Sequence, residues 1–333
     1  MAEGVDRSNV WAVVPAAGFG TRLRPHTHTR PKALVQVAGQ PIIGHIIDQL
    51  ELHEVRRIVL VVGYMGEPIV EYVQSRGCFS RVESVTQEEL LGLGHAIYLT
   101  RPVVGADPML TVYGDTVFRA NLGSVLRASA DGMVGIKTVD DPSRFGVVVE
   151  EGGRVRQLLE KPAQFVSDRA IVGVNLVRAS DLLFSCLEEL ISGGVRTRGE
   201  FQLTDALQGM VDRGAVLGTF PVSEWFDCGT QEALLETNRH LLEGAVSTCA
   251  ADSVMVPPVH IDPSASVAQS VVGPYVSIGA GAEVKRSIVR NSIIGEEAVV
   301  ENAMLEDSLI GFQAAVRGRS SRLNVGDLSE IAG

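Results

Sequence analysis

The feature that most constrains the fold is an apolar run near the N-terminus that leads directly into a glycine-rich loop. A buried strand is predicted by Val10-Trp11-Ala12-Val13-Val14, and the loop that follows it is Pro15-Ala16-Ala17-Gly18-Phe19-Gly20-Thr21-Arg22-Leu23-Arg24-Pro25. The glycines therefore fall at the carboxyl end of a strand, where open α/β sheets bind their ligands. Because glycine has no Cβ, backbone N–H groups in such a loop can approach a phosphate closely.

The loop also brings cations that suit phosphate. Arg22 offers a planar fork of N–H donors, and Lys32, a little further along the chain, offers a compact point charge. Together they could hold the polyanionic tail of a nucleoside triphosphate; the alternative is an ordinary strand-to-helix turn with solvated arginines. The loop is not a dinucleotide-binding fingerprint, because no third glycine follows at the required spacing, and it is not a P-loop, because no Gly-Lys-Ser/Thr ends it.

Apolar periodicity after the loop predicts helices and strands in alternation. The predicted helices cover 41–52, 67–74 and 94–100, and the predicted strands cover 57–64, 82–86 and 109–113. This order predicts an α/β fold with a doubly wound, mainly parallel, Rossmann-like sheet. From residue 131 the pattern changes to longer strands with few helices: strands at 133–139, 145–150, 155–160, 170–177 and 216–222, and helices at 182–191 and 203–211.

Beyond the proline pair Pro257-Pro258 the sequence repeats with a period of six. The aliphatic residues Val272, Ile278 and Val284 follow this spacing, as do Ile294 with Val300 and Ile310 with Val316, and the small residues Ala282, Ala298 and Ala314 accompany them. This pattern resembles the left-handed parallel β-helix of hexapeptide-repeat proteins. We therefore expect a boundary at about 238–258, a first domain over 1–245 and a short β-helix over 254–320.

Length, charge and cysteine content narrow the class of protein. With 333 residues the chain should hold two domains, and its net charge of -11 argues against a surface for nucleic acid or anionic membrane. The opening residues lack the apolar core of a secretory signal, and no run approaches the ~20 apolar residues of a membrane helix. The four cysteines, Cys78, Cys186, Cys228 and Cys249, show neither disulfide nor zinc-site spacing, so we expect reduced thiols and a cytoplasmic location.

Three blocks near the N-terminus resemble the signature of the sugar-nucleotide pyrophosphorylases, a family of nucleotidyltransferases. They are Gly-x-Gly-Thr-Arg-x-x-Pro at Gly18–Pro25, Pro-Lys-x-Leu at Pro31–Leu34 and Gly-x-Pro at Gly39–Pro41. The resemblance implies that Arg22 and Lys32 act in catalysis on the phosphate chain. It also implies a nucleotide-binding set in the loop: Ala16, Ala17, Gly18, Gly20 and Thr21.

A second loop, Thr86 to Ala96, joins a predicted strand to a predicted helix. The amide of Gln87 can both donate to and accept from a base edge, and Gly92 would let a flat base approach the backbone; the alternative is a plain loop with a glycine at a helix start. A glutamine followed by Gly-x-Gly-His-Ala resembles the base-recognition loop of the uridylyl- and thymidylyl-transferring members. The resemblance implies UTP or dTTP as the nucleotide. We expect His95 to pack or to hydrogen-bond within the protein, and not to bind a metal.

Two carboxylates are candidates for binding magnesium. Asp115 follows the strand that ends at Tyr113-Gly114, where a hard cation could sit at the ligand-binding edge of the sheet; the alternative is a turn residue or a helix cap. The resemblance implies that Asp115 is the first Mg²⁺ ligand. It implies that Asp227, in Asp227-Cys228-Gly229-Thr230, is the second and shares the ion, while Cys228 is a small packed residue.

The strand-rich region holds three short stretches that resemble the sugar-phosphate half of the family. They are Phe145-Gly146-Val147, Glu160-Lys161-Pro162 and Gly173-Val174-Asn175. The resemblance implies a sugar-phosphate site made of Gly146, Glu160, Lys161 and Asn175, with Lys161 also catalytic; without it, a solvated strand edge would be preferred. The run Gly199–Asp205 also matches a family block near the sugar, or is only a helix start.

The resemblance as a whole implies a sugar-1-phosphate nucleotidyltransferase. We expect 1–130 to bind the nucleotide and 131–245 the sugar phosphate, with glucose 1-phosphate and UTP or dTTP giving NDP-glucose and pyrophosphate with Mg²⁺. We expect the β-helix to support a homo-oligomer, a dimer or tetramer, with no nucleic-acid or membrane partner. The alternatives are a bifunctional or acyl-transferring hexapeptide-repeat enzyme, a non-catalytic nucleotide-sugar-binding regulator, or a purely structural scaffold.

Overall fold

A computed structural model describes residues 9–243, 252–318 and 322–332. The chain packs into two compact units. The first unit contains the chain up to Gly18 together with Ile46–Trp225, and the second contains Phe19–His45 together with the chain from Phe226 onward. Cys249 and part of the predicted boundary at 238–258 lie outside the described residues, as do residues 319 and 320 of the predicted β-helix.

Strands and helices alternate along the chain before the tail begins. In chain order, the strands are β1 (Trp11–Pro15), β2 (Gln36–Val37), β3 (Gln40–Pro41), β4 (Arg57–Val62), β5 (Arg81–Thr86), β6 (Met109–Val112), β7 (Thr116–Arg119), β8 (Gly132–Thr138), β9 (Gly146–Glu151), β10 (Arg154–Glu160), β11 (Arg169–Val177), β12 (Leu217–Pro221) and β13 (Glu224–Asp227). The helices are α1 (Ile42–Leu52), α2 (Glu67–Ser75), α3 (Leu93–Tyr98), α4 (Arg101–Val104), α5 (Leu122–Val125), α6 (Ser180–Ser192), α7 (Leu203–Asp212) and α8 (Gln231–Leu242).

The described part of the first unit is built on one mixed sheet. Strands β6, β1, β4 and β5 lie side by side and run parallel, which confirms the Rossmann-like half. Strand β1 is buried on both faces, as its uninterrupted apolar sequence predicted. Because β1 has β4 on one side and β6 on the other, the loops that follow all three strands emerge at the same edge of the sheet.

The other part of this sheet is largely antiparallel. Strand β11 pairs antiparallel with β6, β8 and β9, and β9 forms a hairpin with β10. The hairpin turns at Gly152 and Gly153, which both have positive φ, 60° and 78°, as a tight two-residue turn requires. Helices α6 and α7 cover this region, with Phe184, Leu187 and Met210 in a core that also contains Trp11.

The tail forms the predicted left-handed β-helix. Its strands are β14 (Val254–Met255), β15 (Val259–Ile261), β16 (Ser266–Ala268), β17 (Val271–Val272), β18 (Val276–Ile278), β19 (Glu283–Lys285), β20 (Ile288–Arg290), β21 (Ile293–Ile294), β22 (Val299–Glu301), β23 (Met304–Glu306), β24 (Leu309–Ile310), β25 (Ala315–Arg317), β26 (Asn324–Val325) and β27 (Glu330–Ala332). They form three parallel sheets, one for each face of the coil.

The register of the coils explains why the six-residue repeat is imperfect. Val272, Ile278 and Val284 lie on three successive faces and are fully buried, so the period of six holds along these faces. Serine hydroxyls on one coil accept backbone hydrogen bonds from the next coil. The Ser270 hydroxyl accepts from the N–H of Ser287, 17 residues later, whereas the Ser287 hydroxyl accepts from the N–H of Ala303, only 16 residues later. A full coil is therefore shorter than three complete hexapeptides. The buried residues Val284, Val289, Ile294 and Val300 are five, five and six residues apart, so two sides of this coil are short.

The structure confirms most predicted elements and adds four short strands before the tail. Strands β2, β3, β7 and β13 were not predicted, because each has at most four residues and lacks a long apolar run. The helix expected at 94–100 is α3, which ends at Tyr98, with α4 following at Arg101. In the part of the chain that the structure describes, none of the helices combines the length and apolar character needed to cross a bilayer.

Candidate functional site

The loop after β1 is fixed at the shared edge of the sheet in the first unit. The N–H of Ala16 donates to Val61 O at 2.7 Å, and the N–H of Gly114 donates to Pro15 O at 3.0 Å. These bonds join the ends of β1, β4 and β6. Asp115, next to Gly114, therefore lies beside the loop that contains Ala16 and Ala17, and its predicted role as a metal ligand stays a prediction.

Gly18 leaves open space in this loop. A Cβ built on Gly18 would have no atom within 4 Å, so the glycine is not required by packing within the chain. A glycine with no internal reason to lack a side chain is expected where a ligand must approach the backbone. The first unit thus presents the predicted nucleotide residues Ala16, Ala17 and Gly18 at one edge, with Asp115 next to them.

The second unit contains the two predicted phosphate-binding cations. Gly20 adopts a left-handed conformation, with φ 59°, and begins the short turn Thr21–Leu23 that contains Arg22. A Cβ on Gly20 would lie 2.9 Å from Lys32 Cβ, so the stem of Lys32 packs directly on this turn. The hydroxyl of Thr27 donates to Gly20 O at 2.8 Å and fixes the same turn.

Asp227 lies beside both cations in the second unit. Its Oδ1 is 3.9 Å from Lys32 Nζ, and the side chains of Lys32 and Asp227 are 11% and 37% exposed. A Cβ built on Gly229 would come within 2.8 Å of Arg22 Nη2 and 2.9 Å of Asp227 Oδ1. Gly229 therefore leaves the space in which the guanidinium and the carboxylate approach each other, a role that was not predicted. Its signal in the sequence was the Asp-x-Gly-Thr block.

The predicted base-recognition loop is packed against the Gly199–Asp205 block within the first unit. The N–H of Gly94 donates to Phe201 O at 2.7 Å, and the N–H of Phe201 donates to Leu91 O at 2.9 Å. Gly92 has φ 110°, and a Cβ on it would lie 2.7 Å from Phe201 O. Gly92 thus has a packing role, and its predicted contact with the nucleotide stays a prediction.

Gln87 is buried at the start of this loop, only 5% exposed. Its Nε2 donates to Gly92 O at 3.2 Å and lies 3.1 Å from His95 Nδ1. Burial lowers the pKa of His95, so its imidazole favours the neutral form that can accept a hydrogen bond. His95 thus packs and bonds within the loop, as expected.

The predicted sugar-phosphate residues Gly146, Glu160 and Lys161 are brought together in the first unit. Glu160 Oε1 lies 3.3 Å from Lys161 Nζ, and Glu160 Oε2 accepts from the Thr204 hydroxyl at 2.8 Å. A Cβ on Gly146 would lie 3.0 Å from Glu160 Oε2, so the strand passes directly over this carboxylate. Thr204, at the start of α7, was not predicted as a site residue, although it lies in the Gly199–Asp205 block.

The backbone of Lys161 is strained. It adopts φ 43°, which is unusual for a residue with a side chain, and its carbonyl accepts from Arg198 Nη2 at 2.7 Å. Such conformations persist where the surrounding structure imposes them, and they concentrate at functional sites. Other non-glycine residues of the chain, such as Glu54 and Arg198, share this conformation, so it does not by itself mark Lys161 as a site residue.

Asn175 lies deeper in the same unit. It is 1% exposed, and its Nδ2 donates to the Thr111 hydroxyl at 3.3 Å, but its Oδ1 has no hydrogen-bond partner among the described residues. An unsatisfied buried acceptor is costly, so it is a candidate for a bond to a ligand hydroxyl. Tyr113 lies nearby: burial raises its pKa, and the charges of Glu160 and Asp115 add to the rise, so its hydroxyl remains a neutral donor.

Protein side chains would supply only some of the ligands that a magnesium ion needs. Within 9–243, 252–318 and 322–332, no three His, Cys, Asp or Glu side chains are grouped as a metal site. Asp115 and Asp227 offer hard carboxylate oxygens, and Mg²⁺ in phosphoryl-transfer sites is typically held by one or two carboxylates, with phosphates and water completing its shell. Each of the two carboxylates is thus chemically suited to an ion that arrives with a nucleotide, and their sharing of one ion stays a prediction.

Comparisons with known proteins agree with this architecture. Residues 11–244 match the family described as nucleotidyl transferase. The glucose-1-phosphate thymidylyltransferase of Streptomyces griseus is 33% identical over 291 residues, 84% of this chain and 80% of that protein. The bifunctional protein GlmU of Methanococcus maripaludis strain S2 is 33% identical over 237 residues, 71% of this chain. This chain covers only 55% of the length of that GlmU.

A solved structure shows the same fold. It is a glucose-1-phosphate thymidylyltransferase from Bacillus anthracis, described as putative in its title and crystallised with a sucrose, with a TM-score of 0.62 and 26% identity. The similarity covers 72% of this chain and 98% of that one. The family match covers most of the chain and includes the glycine-rich loop, Asp115, Lys161 and Asp227. The chain belongs to the nucleotidyl transferase family.

Proposed function

We propose that this protein transfers a nucleotidyl group from UTP or dTTP to a sugar 1-phosphate, with glucose 1-phosphate as the first choice, and releases pyrophosphate. The observation that carries the proposal is the cluster of Arg22, Lys32 and Asp227 around Gly229. Two cations and a carboxylate in so small a space suit a ligand that has both phosphate oxygens and a bound metal ion.

The proposed chemistry needs few groups. The oxygen of a sugar phosphate is already an anion at neutral pH, so no general base is required, and catalysis must come from bringing two anions together and stabilising new charge. In the proposal, Arg22 stabilises the β- and γ-phosphates and the departing pyrophosphate, and Lys32 binds the phosphate chain. Asp115 and Asp227 are the proposed Mg²⁺ ligands, and the ion would supply positive charge at the α-phosphate.

The sugar phosphate is assigned to the group around Glu160. Lys161 would pair with its phosphate, Glu160 would accept from its hydroxyls, and Asn175 Oδ1 would accept from another hydroxyl. Gly146 would let the sugar ring approach the strand. The contacts that support this assignment are the Glu160–Lys161 pair and the Thr204 hydroxyl that orients Glu160.

The nucleotide base is assigned to the loop of Gln87 and Gly92, and the rest of the nucleotide is assigned to Ala16, Ala17, Gly18, Gly20 and Thr21. The name of the Streptomyces griseus relative supports dTTP and glucose 1-phosphate. A solved structure at 23% identity, titled UDP-glucose pyrophosphorylase complexed with UDP-glucose, supports the fold alone. UTP and dTTP therefore both remain in the proposal.

A panel assay tests the proposal. Pyrophosphate release would be measured with UTP, dTTP, ATP, CTP and GTP against the 1-phosphates of glucose, galactose, mannose and N-acetylglucosamine, with magnesium present. We expect release only when both substrates are present, fastest with glucose 1-phosphate and either UTP or dTTP. Binding of a nucleotide sugar without release of pyrophosphate from any pair would favour a non-catalytic regulator instead.

We propose that 1–130 serves the nucleotide and 131–245 the sugar phosphate, in a cytoplasmic homo-oligomer, dimer or tetramer, which light scattering would measure. An acyl-transferring tail is the alternative that an acetyl-CoA assay would detect. His260, the histidine available to such a reaction in the tail, packs against Gly39, and burial lowers its pKa.

A further inference from the structure

Within the second unit, the segment Phe19–His45 contains both proposed phosphate-binding cations, Arg22 and Lys32, and it contacts the β-helix. Glu296 lies in the loop between β21 and β22, and each of its carboxylate oxygens accepts one hydrogen bond from this segment. Oε2 accepts from Arg30 Nη1 at 2.8 Å, and Oε1 accepts from Gln36 Nε2 at 2.9 Å. Arg30 and Gln36 flank the short turn Lys32–Leu34, so one carboxylate holds both ends of the turn that presents Lys32.

The contact is well packed. The guanidinium of Arg30 lies 3.9 Å from the centroid of the Phe312 ring, so its face is covered while its edge binds Glu296. The side chains of Arg30 and Glu296 are 27% and 30% exposed. A cavity of about 30 Å³ remains between this segment and the coils, lined by Arg30, Glu296 and Phe312 among others.

A second set of contacts fixes the start of the same segment. His26 Nε2 lies 2.6 Å from Asn324 Oδ1, and the Thr29 hydroxyl donates to Asp327. Gly326 allows Pro25 to pack closely, since a Cβ there would lie 2.6 Å from Pro25 Cβ. The segment is therefore held at His26 and Thr29, before the turn of Lys32, and again at Gln36, after it.

We propose that Glu296 is a positioning residue for nucleotidyl transfer, which sets the place of Lys32 by holding the turn from both sides. The inference rests on the proposed function. Lys32 Nζ reaches Asp227, and its stem packs on Gly20, two residues before Arg22. A shift of the turn would move Lys32 away from the phosphate chain, and misplacement of a catalytic group by about 1 Å can cost on the order of 100-fold in rate.

The test compares Glu296→Ala and Glu296→Gln with Glu297→Gln. Glu297 is the next residue in the same coil, and its Oε2 accepts from Gln313 within the β-helix. Glu296→Gln keeps one acceptor oxygen, but its NH₂ would face Arg30 or Gln36, which are both donors. Because Glu296 is a partly exposed ion-pair partner, its loss should leave folding nearly unchanged, with melting temperatures within about 2 °C of the control.

The kinetic readout is the separation of kcat and KM for each substrate, with magnesium and UTP or dTTP, whichever the unsubstituted chain uses better. We expect Glu296→Ala to lower kcat about 10-fold and raise the KM for the triphosphate about 5-fold, with the KM for glucose 1-phosphate within about twofold of the control. For Glu296→Gln, both kcat and the KM for the triphosphate should lie between the values of Glu296→Ala and Glu297→Gln.

A double substitution shows whether Glu296 acts through Lys32. In a Lys32→Ala background, Glu296→Ala should change the remaining kcat/KM by less than about twofold, because the group it positions is gone. Equal kinetics for Glu296→Ala and Glu297→Gln, or an undiminished loss in the Lys32→Ala background, would overturn the inference while leaving the proposed function intact. An unsubstituted chain that transfers no nucleotide would overturn the proposed function and the inference with it.

Discussion

Lys32 Nζ and Asp227 Oδ1 lie 3.9 Å apart in the second unit, although the two residues come from opposite ends of the region that matches the family. One is the proposed partner of the phosphate chain, and the other is a proposed metal ligand. Their charges balance each other before substrate binds, and phosphate oxygens would then compete with Asp227 for the lysine. The Lys32–Asp227 contact therefore links the proposed phosphate-binding group to a proposed metal ligand.

Substitution of Gly229 by alanine should lower activity more than stability. The new Cβ would collide with Arg22 Nη2 and Asp227 Oδ1, which are the ends of flexible side chains and can move at little cost to folding. Their displacement should reduce kcat/KM for the triphosphate by about 10-fold or more. Steady-state kinetics and thermal unfolding on the same preparation check this; unchanged kcat/KM would show that Arg22 and Asp227 need not keep these positions.

Gly18→Ala should leave the stability of the free protein unchanged but weaken its binding of the nucleoside triphosphate. A Cβ has no neighbour within 4 Å there, so the free energy of unfolding should change by less than about 0.5 kcal/mol. If phosphates approach this backbone, the same Cβ should raise the KM for the triphosphate about 10-fold. Gly123→Ala is the control, since its Cβ would meet only ordinary contacts beginning at 3.5 Å; similar KM values for the two variants would remove Gly18 from the nucleotide site.

Thr204→Val should weaken use of the sugar phosphate selectively. It removes the 2.8 Å bond that orients Glu160 and costs about 1 kcal/mol of stability. We expect the KM for glucose 1-phosphate to rise about 5-fold with the triphosphate KM unchanged. Thr219→Val is a matched control, because Thr219 donates to Glu150 at the same distance in the same unit. Equal effects of the two substitutions on the sugar-phosphate KM would contradict the assignment of Glu160.

Acidification should destabilise the second unit through His26. Burial lowers the pKa of His26 from its ordinary value of 6.5, although the bond to Asn324 and the charge of Asp327 oppose the shift. As the pH falls below 6.5, the unfolded chain takes up this proton more readily than the folded chain, so stability falls with pH. His26→Gln keeps a donor for Asn324 but cannot titrate.

The slope of unfolding free energy between pH 7.5 and about 5 checks this prediction. We expect His26→Gln to flatten the slope in part, because burial also lowers the pKa of His95 and of His260. His28→Gln, at an exposed position two residues away, is the control. A His26→Gln slope equal to that of the control would mean that His26 contributes nothing to the acid sensitivity.

Local sequence patterns were enough to predict much of the fold. The apolar run of β1, the glycines after it and the aliphatic corner at Ile278 are signals confined to a few neighbouring residues, and each corresponds to the structure observed. Strands β2, β3, β7 and β13 were missed because two to four residues cannot show a period. The five-residue sides of the β-helix coils were not predicted, because they interrupt the period of six on which the prediction was based.

Contacts between distant residues lay beyond what the sequence could predict. Nothing near Lys32 indicates that Glu296 holds its turn, and nothing near Asp227 indicates that Arg22 fills the space above Gly229. Thr204 could have been found from its block, but its bond to Glu160 depends on how α7 packs against β10. Sequence motifs thus predicted the chemical groups of the proposed site, while the contacts that orient those groups could be found only in the structure.

The fate of the α-phosphorus tests the central claim most directly. The chain would be incubated with magnesium, glucose 1-phosphate and UTP or dTTP labelled at the α-phosphorus, and the products separated and quantified. We predict that the label appears in a nucleoside diphosphate glucose, with one pyrophosphate released per labelled product, and that Arg22→Ala greatly slows both. Label recovered only in unreacted triphosphate, or in nucleoside monophosphate formed without the sugar, would contradict nucleotidyl transfer to a sugar phosphate.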